Sequence, residues 1–213
     1  MYTIQTVGKR GVLFGTDAIP GFVTYCYLIK GKKCNYMVDT GFGSGTADHV
    51  KDYIARNCPG EVTVINTHYH WDHIWGNIGF EGNAIFAHPL TIKMIGEHWD
   101  EMVQKGGKSI DGEIKNVLPN TPVADHFLFD EDGIELFYTP GHTVDSISVY
   151  DQVDKVLHVG DNMETPFPSV HDTEAHLLNS LKKYLEYDFD RCICGHNSDV
   201  KREDILTVIK SLE

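Results

Sequence analysis

The stretch "VINTHYHWDHIWGN", residues 64–77, places His68, His70, Asp72 and His73 within six residues. It is entered from "EVTVIN", a short apolar run rich in β-branched residues, which reads as a buried strand. In an extended segment alternate side chains share a face, so His68 and His70 point the same way. Both imidazoles can then bind one metal ion at about 2.0–2.1 Å. Asp72 and His73 follow one turn later, at the expected start of a helix.

On the N-terminal side, β-like runs at residues 2–7, 11–14, 22–29 and 35–39 are separated by glycine-bearing turns and predict an antiparallel meander. "GSGTADHVKDYIARNCPG" then sets Ala47, Val50, Tyr53 and Ile54 on one helical face and stops at Pro59-Gly60. On the C-terminal side, "NAIFAH" is strand-like, residues 90–103 have helical spacing, and residues 104–126 read as irregular. Strands recur at 133–139, 145–150 and 155–160. A helix with Leu177, Leu178, Leu181 and Leu185 on one face, the strand "RCICG" and the helix "REDILTVIKSLE" complete the chain. Each half runs from strands into helices, which predicts an α+β fold of two sheets packed face to face with helices outside. The 213 residues, 41% of them hydrophobic, suffice for one domain spanning 1–213, and no long linker divides them.

Three more metal-binding side chains fall where a predicted strand has just ended: His142 in "TPGHT", Asp161 in "HVGDN" and His196 in "CGHN". In layered sheet proteins ligands collect in the crevice outside the carboxyl ends of strands. His142 can complete a trio with His68 and His70; Asp72, His73 and His196 can hold a second ion, leaving Asp161 to bridge. Two divalent ions in such a site are expected, with zinc the first choice for imidazole and carboxylate donors and iron or manganese also compatible. Asp39, in "VDTGFG", is placed to orient a ligand imidazole. Tyr69 and Trp71 read as packing groups that could wall a pocket. His49, His88, His98, His126, His158, His171 and His176 lack the pattern and read as structural or surface residues.

Charge restricts the partners. With 18 basic and 31 acidic residues the net charge is −13, and no cluster of Lys or Arg adjoins any motif. Nucleic acid and anionic membrane are therefore poor partners, and a small-molecule substrate is expected. No apolar run has signal-peptide or membrane-spanning length, and five cysteines without zinc-ribbon spacing suit free thiols, which together predict a cytoplasmic protein. Cys192 and Cys194 read as small buried hydrophobes. The sequence carries no sign of oligomeric state.

The motifs "VDTG" at 38–41, "THYHWDH" at 67–73, "PGHT" at 140–143, "GD" at 160–161 and "GHN" at 195–197 resemble those of the metallo-β-lactamase superfamily, in family order across nearly the whole chain. The resemblance implies a four-layer αββα sandwich with a dinuclear site on one edge: His68, His70 and His142 on one metal, Asp72, His73 and His196 on the other, Asp161 bridging both. It also implies a metal-bridging hydroxide as nucleophile. True β-lactamases of the superfamily carry a cysteine near the place of Asp161, whereas the ligand set here is similar to that of the glyoxalase II-like hydrolases. The reading that follows is a dinuclear metal-dependent hydrolase of a small ester, thioester or lactone, with Asp72 orienting the hydroxide. The alternatives are an iron-dependent oxidoreductase on the same fold, a metal-dependent phosphodiesterase, or a non-catalytic metal-binding protein. Residues 88–126, with Met94, Trp99 and Met102, and the loop "NMETPFPSVHDTEAH" are the expected pocket walls.

Overall fold

A computed structural model describes residues 1–164 and 167–213. Thr165 and Pro166, part of the loop expected to wall the pocket, lie outside the described residues. The first sheet begins with the expected meander: β1 (Tyr2–Val7), β2 (Gly11–Ile19), β3 (Phe22–Lys30) and β4 (Asn35–Val38) pair antiparallel. Helix α1 (Ser44–Asn57) carries the chain across to β5 (Val62–Ile65), which joins β4 in parallel, as β6 (Ile85–Ala87) and β7 (Thr121–Pro122) then do in turn. Between β5 and β6 lie the one-turn helix α2 (Trp71–Ile74) and a 3-10 segment, Trp75–Phe80; between β6 and β7 lies α3 (Pro89–Gly106).

The second sheet holds β8 (His126–Phe129), β9 (Ile134–Tyr138), β10 (Ile147–Asp151), β11 (Val156–His158) and β12 (Arg191–Ile193), in the order β12-β11-β10-β9-β8. Helix α4 (Glu174–Tyr184) connects β11 to its parallel neighbour β12, and α5 (Arg202–Leu212) follows. Thr173 caps α4 by accepting the His176 amide at 3.2 Å, the role for which threonine is favoured there.

Alternation along the strands sorts the core into layers. Leu13, Tyr27, Ile29, Val38 and Ile65 of the first sheet meet Leu136, Ile147, Val149 and Ile193 of the second between the sheets. The alternate residues Val12, Phe14, Leu28, Met37 and Val64 face outward and are covered by Ala47, Val50 and Ile54 of α1. On the far side Phe137, Leu157, Cys192 and Cys194 lie under Leu177, Leu181, Ile205 and Val208 of α4 and α5. The result is the four-layer αββα sandwich, and both cysteines occupy the buried apolar positions expected of them.

The segment 104–126 is more ordered than its sequence suggests. Helix α3 runs on to Gly106, a 3-10 turn covers Gly107–Ser109, and β7 closes the edge of the first sheet. A two-residue strand ending in Pro122 is too short to show periodicity and lacks one donor, which explains why it is not legible. Among the described residues no helix is long and apolar enough to cross a membrane.

Strand direction positions the site. β4 and β5 run parallel; β9 and β11 are both antiparallel to β10 and so share the direction of β12. The chain segments leaving the carboxyl ends of these five strands carry the motif residues and converge on one edge. Cross-sheet bonds tie that edge together: Ile147 N–H donates to Thr67 O at 2.8 Å, and Tyr25 N–H to Gly195 O at 2.7 Å.

Candidate metal centre

All seven predicted donors meet at this edge. His68 Nε2 lies 3.1 Å from His70 Nδ1, which is 2.9 Å from His142 Nε2. Asp161 Oδ2 stands 3.6 Å from His68 Nε2 and 3.7 Å from His142 Nε2. Four donors held tetrahedrally at zinc–nitrogen bond lengths would be about 3.4 Å apart, so these separations suit one small ion. In the second group Asp72 Oδ2 is 3.4 Å from His73 Nε2 and 3.5 Å from His196 Nε2. Asp161 Oδ2 is also 3.2 Å from His73 Nε2 and 3.1 Å from His196 Nε2. One carboxylate oxygen therefore serves both groups, the arrangement a bridging ligand requires.

Hydrogen bonds behind the rings assign their protons. His142 Nδ1–H donates to Ser169 O at 2.8 Å and His196 Nδ1–H to Val23 O at 3.0 Å. His73 Nδ1–H donates to Asp39 Oδ2 at 2.8 Å. The Thr67 hydroxyl gives its single proton to Asp39 Oδ2 at 2.7 Å, so it accepts from His68 Nδ1–H at 3.0 Å. In all four rings Nδ1 is the donor and Nε2 faces the centre, the outer-sphere arrangement that prepares imidazole for a metal. His73 Nε2 and Asp161 Oδ1 are buried without any hydrogen-bond partner, which a metal ion would explain.

Asp39 thus holds His73 as expected, and adds a bond from Thr67 N–H at 2.8 Å. Its φ of 57° lies in the left-handed region, which aspartate tolerates better than most residues, and turns the carboxylate under the ring. Gly195 is dictated by space: a Cβ there would strike Asp161 Oδ1 and His73 Cε1.

Electrostatics divides the two groups. Burial pushes the His68, His70 and His142 imidazoles toward neutrality, His70 down to about 3, reinforced by neighbouring histidines. At His73 and His196 burial is the largest single influence and opposes charge, but Asp161, Asp72 and, at His73, Asp39 together outweigh it, and both are raised. At Asp72 burial is outweighed by His73 and His196, and the carboxyl falls to about 2. The second group calls for positive charge at its centre: protons when metal is absent, a divalent ion in their place.

A cleft of about 260 Å³ opens beside His70, lined by Tyr69, Trp71, His98, Glu101, Met102, Lys105 and His171. Tyr69 and Trp71 are walls, as expected. His98 and His171, which read individually as structural or surface residues but lie in the two segments expected to wall the pocket, belong to the cleft. The His171 ring lies 5.4 Å from that of His70 and 5.2 Å from that of His142, its backbone N–H bonded to His142 O at 2.8 Å. The loop that carries His171 is legible in sequence as a pocket wall, but the approach of this ring to His70 and His142 is decided by tertiary folding alone. The expected wall segment 88–126 contributes His98, Glu101, Met102 and Lys105 of α3; of Met94, Trp99 and Met102, Met102 lines the cleft, and Trp99 packs with Ile74 and Trp75. His176 is exposed and bonded to Asp172, away from the centre. Glu164, on the loop after Asp161, belongs to no ligand motif of the sequence, yet its Oε1 comes within 3.7 Å of His196 Nε2.

The two-sheet sandwich gathers histidine and aspartate donors at its strand ends, which defines a candidate metal-binding fold. The family model of the metallo-β-lactamase superfamily matches residues 19–196, and the chain belongs to that superfamily. Membership implies divalent metal ions, and the clustered donors fit them. Among relatives, "Beta-lactamase-like protein 2 homolog" of Caenorhabditis elegans is 26% identical over 85% of this chain and 58% of its own length. Hydroxyacylglutathione hydrolase of Brucella ovis is 28% identical over 62% of this chain and 47% of its own. The chain therefore spans about half to three fifths of these relatives. The solved metallo-β-lactamase from Pontibacter korlensis superposes with a TM-score of 0.77 at 17% identity, covering 100% of this chain and 99% of that one, a likeness of fold.

Proposed function

We propose that the protein is a dinuclear metal-dependent hydrolase of a small ester, thioester or lactone, with zinc the preferred ion. The observation that carries this reading is the shared Asp161 oxygen between a three-histidine group and an Asp72–His73–His196 group, with every assigned Nε2 turned inward. Two divalent ions in these positions supply a water acidified toward a pKa of about 7 and a Lewis acid for the carbonyl.

The chain's own groups do the rest. Asp72 Oδ2, between His73 and His196 and 3.4 Å from the Thr24 hydroxyl, is held ionised and can accept a proton as the carbonyl is attacked. His68, His70 and His142 stay neutral at physiological pH and so remain donors. Tyr69, Trp71 and Met102 give the cleft an apolar wall for an acyl group, while His98 and His171 offer polar contacts. The acidic surface disfavours polyanions, so nucleic acid is not the substrate. The name of the Brucella relative favours a thioester among the three classes.

The test is a panel of small carboxylic esters, thioesters and lactones, together with an RNA oligonucleotide, offered to zinc- and manganese-loaded protein. Chelator-sensitive hydrolysis of at least one acyl substrate is expected, with metal content and turnover lost together in Asp161→Ala. Efficient RNA cleavage, abolished by chelation and by Asp72→Ala, would show the substrate class to be wrong. Dioxygen consumption with visible absorbance from bound iron would replace hydrolysis by the oxidoreductase reading.

A further inference from the structure

We propose that Glu164 is a further donor to the second metal position, and that this position consequently takes a harder, more oxygen-preferring divalent ion than the first. The inference rests on the dinuclear reading and adds to it a residue and a metal selectivity.

Glu164 sits three residues after Asp161 with its side chain 18% exposed. Its two oxygens have different tasks. Oε2 accepts the Ser169 amide at 3.2 Å and lies 3.7 Å from His142 Nδ1, which itself donates to Ser169 O; this oxygen anchors the loop. Oε1 has the other orientation, 3.7 Å from His196 Nε2. Ligand atoms of Asp161, Glu164 and His196 all lie within 4.8 Å of one another, a separation one ion can span. The neighbouring His73 Nε2, fully buried and without a hydrogen-bond partner, lies 3.2 Å from Asp161 Oδ2, the same oxygen that stands 3.1 Å from His196 Nε2. Among the described residues neither Asp72, Asp161 nor Glu164 has a Lys or Arg ion-pair partner; each pairs only with histidine. Three carboxylates around two imidazoles without a fixed cation are electrostatically unfavourable unless a metal resides among them.

The donor chemistry of the two positions then differs. The first offers three imidazoles and one shared carboxylate, a set that suits zinc. The second offers two imidazoles and up to three carboxylates, a harder and more numerous set that suits an ion of higher coordination number such as Mn(II). Zinc still binds more tightly than manganese at either position by the general affinity order, so the expected signature is a relative one. The zinc-over-manganese preference is smaller at the second position, and Glu164 is the cause.

The experiment is metal competition on full-length apoprotein. Wild type, Glu164→Gln and Glu164→Ala are titrated with Zn(II), with Mn(II), and with Mn(II) after one equivalent of Zn(II), bound manganese being read by electron paramagnetic resonance and stoichiometry by elemental analysis. Glutamine keeps an acceptor for the Ser169 amide and removes the charge. Wild type is expected to hold two ions and, with one zinc present, to bind manganese at the second position. In both variants manganese affinity there should fall at least about tenfold, the lower end of what loss of even an outer-sphere partner costs, and zinc affinity at that position less. Retention of zinc at the first position serves as the internal check on folding. Wild-type manganese affinity in both variants would overturn the proposal while leaving the dinuclear reading intact. Loss of zinc from both positions would overturn it in favour of a purely structural Glu164. A wild type that saturates at one ion would sink the dinuclear reading itself.

Discussion

Asp39→Asn is the most discriminating single substitution, because it changes one atom and leaves the backbone undisturbed. Asparagine tolerates the left-handed conformation at φ 57° as well as aspartate does. The native carboxylate receives three donors: Thr67 N–H on Oδ1, and the Thr67 hydroxyl and His73 Nδ1–H on Oδ2. An amide offers one acceptor oxygen and one NH2, so it cannot satisfy all three. With its oxygen toward Thr67 N–H, the NH2 confronts His73 Nδ1–H and forces the ring proton to Nε2, where it occupies the metal-facing lone pair. With the amide flipped, the NH2 opposes the Thr67 amide, leaving buried donors unsatisfied at about 1–3 kcal/mol. Loss of an outer-sphere partner of this kind typically costs about 10–100-fold in metal affinity, or about 1.4–2.7 kcal/mol. The expected result is therefore a second metal bound at least about tenfold more weakly or a fold destabilised by about 1–3 kcal/mol, and the first metal little affected. Chelator-competition titration of apoprotein gives the affinities, and urea unfolding of the same samples gives the stability. Two metals bound with wild-type affinity, together with unchanged unfolding, would refute the role assigned to Asp39.

Further expectations follow from individual side chains. In Gly195→Ala the added methyl meets Asp161 Oδ1 and His73 Cε1, so metal content after dialysis should fall well below wild type; full retention would mean that the two side chains can shift freely. Asp145 is fully buried, and burial pushes its carboxyl up to about 6, only partly relieved by the hydroxyls of Thr143 and Thr91. Between its ordinary value near 3.8 and about 6 the folded chain holds a proton that the unfolded chain has lost, so stability falls as pH rises through that window. Asp145→Asn should flatten this slope and raise apoprotein stability at pH 7 by up to about 3 kcal/mol, and parallel urea curves for the two proteins at pH 4.5 and 7 would count against it.

Much of this centre is written in local sequence. The spacing of His68 and His70 has a physical meaning as soon as the segment is known to be extended, and four strand-end motifs can be placed at one edge once the strands are recognised. Asp39 is recognisable as a supporting residue because it leaves a strand beside the motif. The layer architecture follows too, since Leu13, Tyr27 and Ile29 alternate with Val12, Phe14 and Leu28 along strands whose period is two.

Other features depend on separations in sequence that only folding abolishes. The proton on each ring nitrogen is set by Ser169 O, Val23 O, Asp39 and Thr67, partners as distant as 173 residues from the histidine they orient. That His98 of α3 and His171 enter the cleft, and that Glu164 approaches His196, depends on how α3 and the loop after β11 pack against the site, which local propensity does not specify. Periodicity reports which face of an element is buried, because burial is a property of neighbours a few residues apart. It carries no information about which distant carbonyl meets an imidazole, because that depends on how two sheets and their connections pack in three dimensions.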